Sequence, residues 1–224
     1  MKRLFFPILM MLGWSVWTCA PSPKPTTEKL FAHYEIRYLQ QERHLRALAA
    51  FQTGDSLATQ TKSFPTVRLG RQMMEKRNLN RNGFRYQYDQ YQAYEQSWNF
   101  RCIDEYNREY SYAIDLSPID SFQIDGVIPK SGKFKLTWAG TPLQANENLI
   151  LLFTDAQQRA ASQQIKGPSE GASLMIESEG LDQLQAGKGQ LYLVKKQWRE
   201  NESAEMVTSS LAEFYTRSID IEIE

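Results

Sequence analysis

Histidine and cysteine are scarce in this 224-residue chain, with two of each. His33 and His44 stand eleven positions apart. On a helix that spacing puts them near one face but about 16 Å apart along the axis. One metal ion holds its ligands at about 2.0–2.1 Å, so the pair cannot share one. Without a third histidine, zinc sites built on three histidines are excluded. No motif calls for a metal or another cofactor. Neither sign of charge is in excess, Lys+Arg and Asp+Glu each numbering 26. The charge is spread unevenly, net +3 over residues 19–117 and −5 over 118–224. Neither part is basic enough to imply nucleic acid. A long apolar run is also missing. Residues 4–16 carry no charge but give only about 20 Å of helix, against roughly 30 Å of hydrocarbon.

That short run has a different use. Lys2 and Arg3 precede it, and a positive head before a short apolar core is the pattern of a secretory signal peptide. An ordinary cut after Ala20 leaves Pro21 first, which blocks that peptidase. A cut before Cys19 leaves the cysteine at the new N-terminus. Val16-Trp17-Thr18-Cys19 resembles the lipobox of bacterial lipoproteins. The resemblance implies a signal over 1–18, a diacylglyceryl group on the Cys19 thiol and acylation of its amine. It also implies an outer-membrane destination, since no Asp occupies position 20, with the membrane face left open. Residues 19–26 follow with prolines at 21, 23 and 25, which favours an extended, semi-rigid spacer. Each buried CH2 contributes about 0.8 kcal/mol, so two or three acyl chains hold a body at a bilayer far better than one. With Cys19 acylated, Cys102 has no disulfide partner. It alternates with Trp98 and Phe100, as a core residue does.

Residues 27–52 predict one long amphipathic helix. At 100° per residue, Leu30, Phe31, Tyr34, Tyr38, Leu45, Leu48 and Ala49 share a stripe about 100° wide. A polar loop is expected over 53–66. Strand signals then continue to the end. An antiparallel β region is expected over 67–117, with a hairpin at Gly70, a turn at Asn82-Gly83 and strict alternation of Phe84, Tyr86 and Tyr88. Seven short strands over 118–224 suggest an antiparallel sandwich. The stretch "LDQLQAGKGQLYLV" is similar to the crossover before a late strand in immunoglobulin-like modules. The expected fold is therefore mainly β, an immunoglobulin-like C-terminal sandwich preceded by one helix. Taken whole, signal, helix and β-rich body resemble small uncharacterised envelope lipoproteins of the Bacteroidetes type, a likeness that implies no activity.

Several constellations are weighed for chemistry. Residues 167–171 match G-x-S-x-G, but the elbow needs a helix after the serine and a histidine later in the chain. A strand pattern follows instead, and both histidines lie upstream. Asp220, Glu222 and Glu224 alternate with isoleucines at about 6.5–7 Å, which reads as a wet strand face rather than a Ca²⁺ site. Arg68, Arg71, Lys76, Arg77, Arg81 and Arg85 stand against Glu75 alone. This basic segment is a candidate surface for lipid headgroups, phosphates or an acidic glycan. Seven tyrosines lie between 86 and 112. Of these, Tyr91 and Tyr94 sit in a polar stretch and are candidate sugar platforms.

The reading is a lipid-anchored envelope protein with a binding or assembly role. The membrane is reached through the lipid, and an envelope protein or glycan is the expected partner. A carboxylate-based glycan hydrolase and a purely structural lipoprotein are the alternatives. The hydrolase requires two facing acids roughly 5–9.5 Å apart.

Overall fold

A computed structural model describes residues 29–54, 59–79 and 83–224, and no helix occurs among them. The signal, Cys19 and the proline-rich spacer lie outside the described residues. The helix expected over 27–52 is corrected to a β-hairpin. Strand β1 (Lys29–Leu39) pairs antiparallel with β2 (His44–Gly54), Leu30 opposite Thr53 and Leu39 opposite His44. Leu30, Ala32, Tyr34, Ile36 and Tyr38 are buried, as are Leu45, Ala47, Ala49 and Phe51. That is a period of two, the strand period. Three of those nine are alanines, too weakly apolar to outweigh the helical stripe. The turn between the strands, Gln40–Arg43, holds no Gly, Pro, Asn or Asp, although Arg43 adopts a left-handed φ of 52°.

The chain continues as β3 (Thr59–Thr61), β4 (Thr66–Leu69) and β5 (Gln72–Met73). β3 pairs back onto β2. β4 and β5 form a hairpin at Gly70, whose φ of 56° suits a residue without Cβ. Buried Met74 then carries the chain across to β6 (Glu75–Leu79), which pairs with β7 (Gly83–Tyr91). β8 (Ser97–Ile103) and β9 (Glu109–Asp115) return to the layer of β4 and β5, giving the order β5-β4-β8-β9. This four-stranded sheet packs on β1, β2 and β7. The Tyr34 ring lies 4.8 Å from Phe100 and 5.0 Å from Tyr112, centroid to centroid. Cys102 is fully buried there, and burial pushes its thiol up to about 12.

The C-terminal part is a second sandwich. β10 (Ser121–Ile124), β11 (Lys133–Ala139) and β14 (Ser173–Glu177) form one sheet. β12 (Glu147–Asp155), β13 (Ala160–Lys166), β15 (Gly187–Glu202) and β17 (Ile219–Ile223) form the other. Counting along the chain, strands one, two and five face strands three, four, six and seven, an immunoglobulin-like partition. Ile128 bridges in parallel to Ile223, closing one side.

The two sandwiches share one hairpin. β15 pairs with β17 through residues 187–191 and with β16 (Met206–Tyr215) through 194–202. β16 in turn pairs in parallel with β1, Leu30 opposite Met206 through Leu39 opposite Tyr215. The result is one continuous ten-stranded sheet along both cores. Its inner face carries a buried ion pair. Lys195 Nζ lies 3.0 Å from Glu147 Oε2, both side chains almost wholly enclosed. Glu147 also accepts from the Gln144 backbone at 2.9 Å and from Gln197 Nε2 at 3.3 Å. The Lys195 ammonium is not angled for a hydrogen bond and is held by charge alone.

One turn device recurs in both sandwiches. At the β8–β9 turn, Asp104 Oδ1 accepts the N–H groups of Tyr106 and Arg108, and Oδ2 accepts Arg108 Nε at 2.7 Å. At the β12–β13 turn, Asp155 does the same with Gln157 and Arg159, again at 2.7 Å to Nε. Asn107 and Gln158 hold matching left-handed φ angles of 61° and 64°.

Candidate functional site

The N-terminal sandwich is open along one side, where Met74 carries the chain between layers. Two adjoining cavities lie there. The inner one, about 440 Å³, is bounded by Leu69, Gly70, Arg71, Gln72, Tyr88, Gln92, Glu95, Ser97, Trp98 and Asn99. The outer one, about 540 Å³, is bounded by Gln72, Met73, Glu75, Arg77, Gln87, Tyr88, Asp89 and Gln90. They share Gln72 and Tyr88, so they form one cleft of aromatic, amide and charged side chains.

Local structure holds these groups in place. Gln92 donates its backbone N–H to Arg43 O at 2.8 Å and accepts the Tyr38 hydroxyl on its own carbonyl at 3.1 Å. Its side-chain Oε1 accepts the Tyr88 hydroxyl at 2.9 Å, which leaves the amide nitrogen as the free donor. Burial raises the Tyr88 phenol above its ordinary value, and the Glu95 charge raises it further. Trp98 is 2% exposed and stacks edge-on against Tyr94, yet its Nε1–H has no acceptor among the described residues. In the outer cavity Glu75 pairs with Arg77 at 2.9 Å. Burial works to raise the Asp89 carboxyl, but bonds from His44 and Arg46 hold it below its ordinary value.

The basic segment does not form one patch. Arg71 and Arg77 line the cleft. Arg68 is on the outward side of the four-stranded sheet, opposite Arg101. Lys76 reaches Ser63 at 2.9 Å and caps the Phe84 ring at 3.7 Å. Arg85 pairs across strands with Arg77, and Arg81 lies outside the described residues. Tyr91 is 78% exposed at the end of β7, its ring 4.9 Å from His44. Tyr94 is not a surface platform. It packs against Tyr38, Trp98 and Phe214 and donates its hydroxyl to Leu116 O. Residues 167–171 form a loop, with the Ser169 hydroxyl committed to Leu143 N and Gly171 O.

One constellation escaped sequence reasoning because β1 and β16 are far apart in the chain. His33 Nδ1 lies 2.8 Å from Ser209 Oγ, and Nε2 lies 2.9 Å from Glu35 Oε1. The order Ser–His–Glu matches a hydrolase triad in connectivity. It sits on the open face of a sheet, however, and the backbone N–H groups around it belong to the ladders of β1 with β2 and β16. No donor pair is left for an oxyanion, so this is a cross-strand polar network.

No family model matches the chain, and no curated protein does. Among solved structures, one match is the Bacteroides ovatus mixed-linkage glucan utilization locus SGBP-B in complex with a mixed-linkage heptasaccharide. It is 11% identical over 80% of this chain and 43% of that one, with a TM-score of 0.23. The chain thus spans less than half the length of that protein. Another match is the titin Ig tandem A164-A165, 9% identical over 85% of this chain and 94% of that one, with a TM-score of 0.22. At these scores neither likeness bears on fold or function.

Proposed function

We propose that this is an exported, lipid-anchored envelope protein that binds a glycan without transforming it, and that the side cleft of the N-terminal sandwich is the binding site. The observation that carries this is the cleft itself. Half-buried Tyr88, with Trp98 enclosed behind the wall, stands beside Gln72, Gln92, Asn99, Arg71 and Glu95 in a concave space large enough for sugar rings. Sugars present apolar ring faces and many hydroxyls, and this set meets both. A non-catalytic role is favoured over the hydrolase alternative by the state of the acids. The hydrolase needs two facing acids. At the cleft Glu75 is paired with Arg77 and Asp89 is held by His44 and Arg46, which leaves Glu95 as the one lining acid without such a partner among the described residues. The anchor is Cys19 and the site of action is the envelope, with the outer membrane as the destination.

The test uses the full chain purified in detergent from its native envelope. Affinity electrophoresis through gels containing soluble glucans or N-acetylglucosamine polymers reads binding. At least one gel should retard the protein, and Gln92→Ala with Glu95→Ala together should weaken retardation by about tenfold or more. Equal mobility in every gel overturns the glycan reading. Intact mass of the same material, with Cys19→Ala as control, tests the anchor separately.

A further inference from the structure

We infer that the C-terminal sandwich takes up an extended, basic peptide strand of a partner protein along the free edge of β14. The inference is independent of the glycan reading and concerns a different part of the molecule. It starts from backbone groups. Trp138 N donates to Ala172 O at 3.0 Å, and Ser178 N donates to Gly132 O at 2.9 Å. In the antiparallel register of β11 with β14, those bonds assign the even-numbered residues of β14 to β11. The N–H and C=O groups of Ser173, Met175 and Glu177 therefore point away from β11. β14 ends its sheet, so no strand takes them. Glu177 O accepts Gln163 Nε2 at 2.9 Å, which leaves Ser173, Met175 and the Glu177 N–H as the open row. Such alternating donors and acceptors are a template for another extended backbone. The exposed edge strand β6 is guarded by Glu75, Lys76 and Arg77. β14 has neither lysine nor proline, and Met175 at its centre is 61% exposed.

The groove of about 550 Å³ beside this edge supplies the side-chain half of the site. Leu174 and Ile176 of β14 and Ile165 of β13 give it apolar walls, and Leu174 and Ile165 are half-buried at the margin of the core. A strand added to β14 sets every second side chain on the face of Leu174 and Ile176, where apolar groups extend the core. The intervening side chains share the outer face with Ser173, Met175 and Glu177. The charge of the partner follows from the lining. Glu177 and Glu179 are its charged residues, both exposed, with no lysine or arginine among the groove's walls. Residues 118–224 carry a net charge of −5. A second copy of this sandwich therefore meets repulsion where a basic strand meets attraction. The occupant that fits is a strand alternating apolar residues with lysine or arginine.

The probe is a capped, fluorescently labelled peptide of about eight residues, an ordinary strand length, that alternates valine with lysine. Its anisotropy with the full chain in detergent reads binding. A peptide of the same composition with its valines and lysines in two blocks should bind at least about tenfold more weakly, and so should one with glutamate in place of lysine. Met175→Pro removes the central N–H while Leu174 and Ile176 keep their bonds to β11, and proline suits an edge whose N–H faces outward. It should weaken binding by about tenfold or more, the worth of one or two backbone hydrogen bonds. In the unaltered protein, amide exchange over residues 173–177 should slow when the peptide is added, a reading that needs no variant. Equal binding of the alternating and blocked peptides reduces the effect to charge and overturns the inference. Full affinity in a folded Met175→Pro, unchanged exchange over 173–177, or no binding of the alternating peptide also overturns it. A dimer in sedimentation of the chain alone, with 173–177 already protected, gives the edge to a second copy and overturns the assignment of a basic partner.

Discussion

The two sandwiches share a hairpin and a turn device but fill their interiors differently. The N-terminal one is packed with rings. Tyr34, Tyr38, Phe51, Phe64, Tyr86, Tyr94, Trp98, Phe100 and Phe214 meet in T-shaped, tilted and stacked pairs, Trp98 through Tyr94. The C-terminal one is built on Leu136, Leu149, Leu151, Leu191, Leu193 and Ile221, with Phe134 and Phe153 as its one close aromatic pair among the described residues. Aliphatic side chains fill space between two sheets without making polar demands. Tyrosines bring a hydroxyl that must be matched, and here those hydroxyls tie loops to strands. Tyr86 donates to Phe64 O and accepts from Phe64 N, both at 2.8 Å. Tyr112 meets Ser210 at 2.9 Å, and Tyr38 and Tyr88 both fix Gln92. The layer that holds its loops through phenols is the one that opens into a polar cleft. The aliphatic sandwich has its own groove of about 550 Å³ between β13 and β14, with Gln163 reaching across to Glu177 O and Glu179 O. Its lining has no aromatic side chain and no arginine or lysine.

The largest effect should come from the part common to both. Replacing Lys195 with Met strands the Glu147 carboxylate inside the shared sheet. Breaking a buried pair in this way costs about 3–5 kcal/mol, while replacing both partners with apolar residues costs far less. Thermal unfolding of Lys195→Met should therefore fall well below the parent, and the double change Lys195→Met with Glu147→Leu should recover most of the loss. Scanning calorimetry should show one transition throughout, because β15 and β16 run through both cores. Two transitions, with only one moved by Lys195→Met, would break the claim that the hairpin couples the sandwiches.

How far the same contrast was legible in the sequence depends on where the information sits. Phe84, Tyr86 and Tyr88 alternate in plain view, and the C-terminal strands are short apolar runs between turn residues. The first hairpin is different. Its burial pattern depends on Ala32, Ala47 and Ala49, its turn has no punctuating residue, and the outer edge of β1 is satisfied by β16, some 176 positions away. Nothing local announces a parallel partner at that distance. Arg71 and Arg77 were visible as charge, but Gln92, Glu95 and Trp98 reach the cleft only because β7 and β8 belong to different layers. The run "QAYEQSW" at 92–98 mixes amide, acid and aromatic side chains and was the available signal. Tyr94 sits in that polar run and was misleading, since its neighbours face outward while it packs beneath Tyr38.

A smaller effect should separate the two interiors directly. Tyr86→Phe keeps the ring and removes the hydroxyl that serves both polar groups of Phe64. Leaving a buried backbone N–H unmatched costs about 1–3 kcal/mol. Leu151→Met in the aliphatic core changes shape with little change of volume and should cost under about 1.5 kcal/mol. Urea unfolding midpoints of the two variants give the comparison. If Leu151→Met proves the more damaging, the N-terminal sandwich does not depend on its phenols.

The smallest effect belongs to the repeated turn, and it has a pH signature. Burial works to raise the Asp155 carboxyl, but N–H donors from Gln185, Arg159 and Gln157, with the Arg159 guanidinium, bring it down to about 2. Asp104 is lowered by the same arrangement, with the Tyr110 hydroxyl donating to Oδ2 at 3.4 Å where Asp155 has the Gln185 N–H at 2.8 Å. A carboxyl whose folded value lies below its unfolded value of about 3.9 contributes stability that is fully present above that value. The contribution fades as pH falls toward 2, where both states become protonated. Asn cannot titrate and so lacks it at every pH. Asp155→Asn should therefore lower the melting temperature at pH 7 more than Asp104→Asn does, and both differences from the parent should shrink as pH drops from 4 to 2. Equal losses for the two variants would mean that the Gln185 N–H adds no more than the longer Tyr110 bond does. A loss that stays constant down to pH 2 would mean that the charge of the aspartate is not what holds the turn.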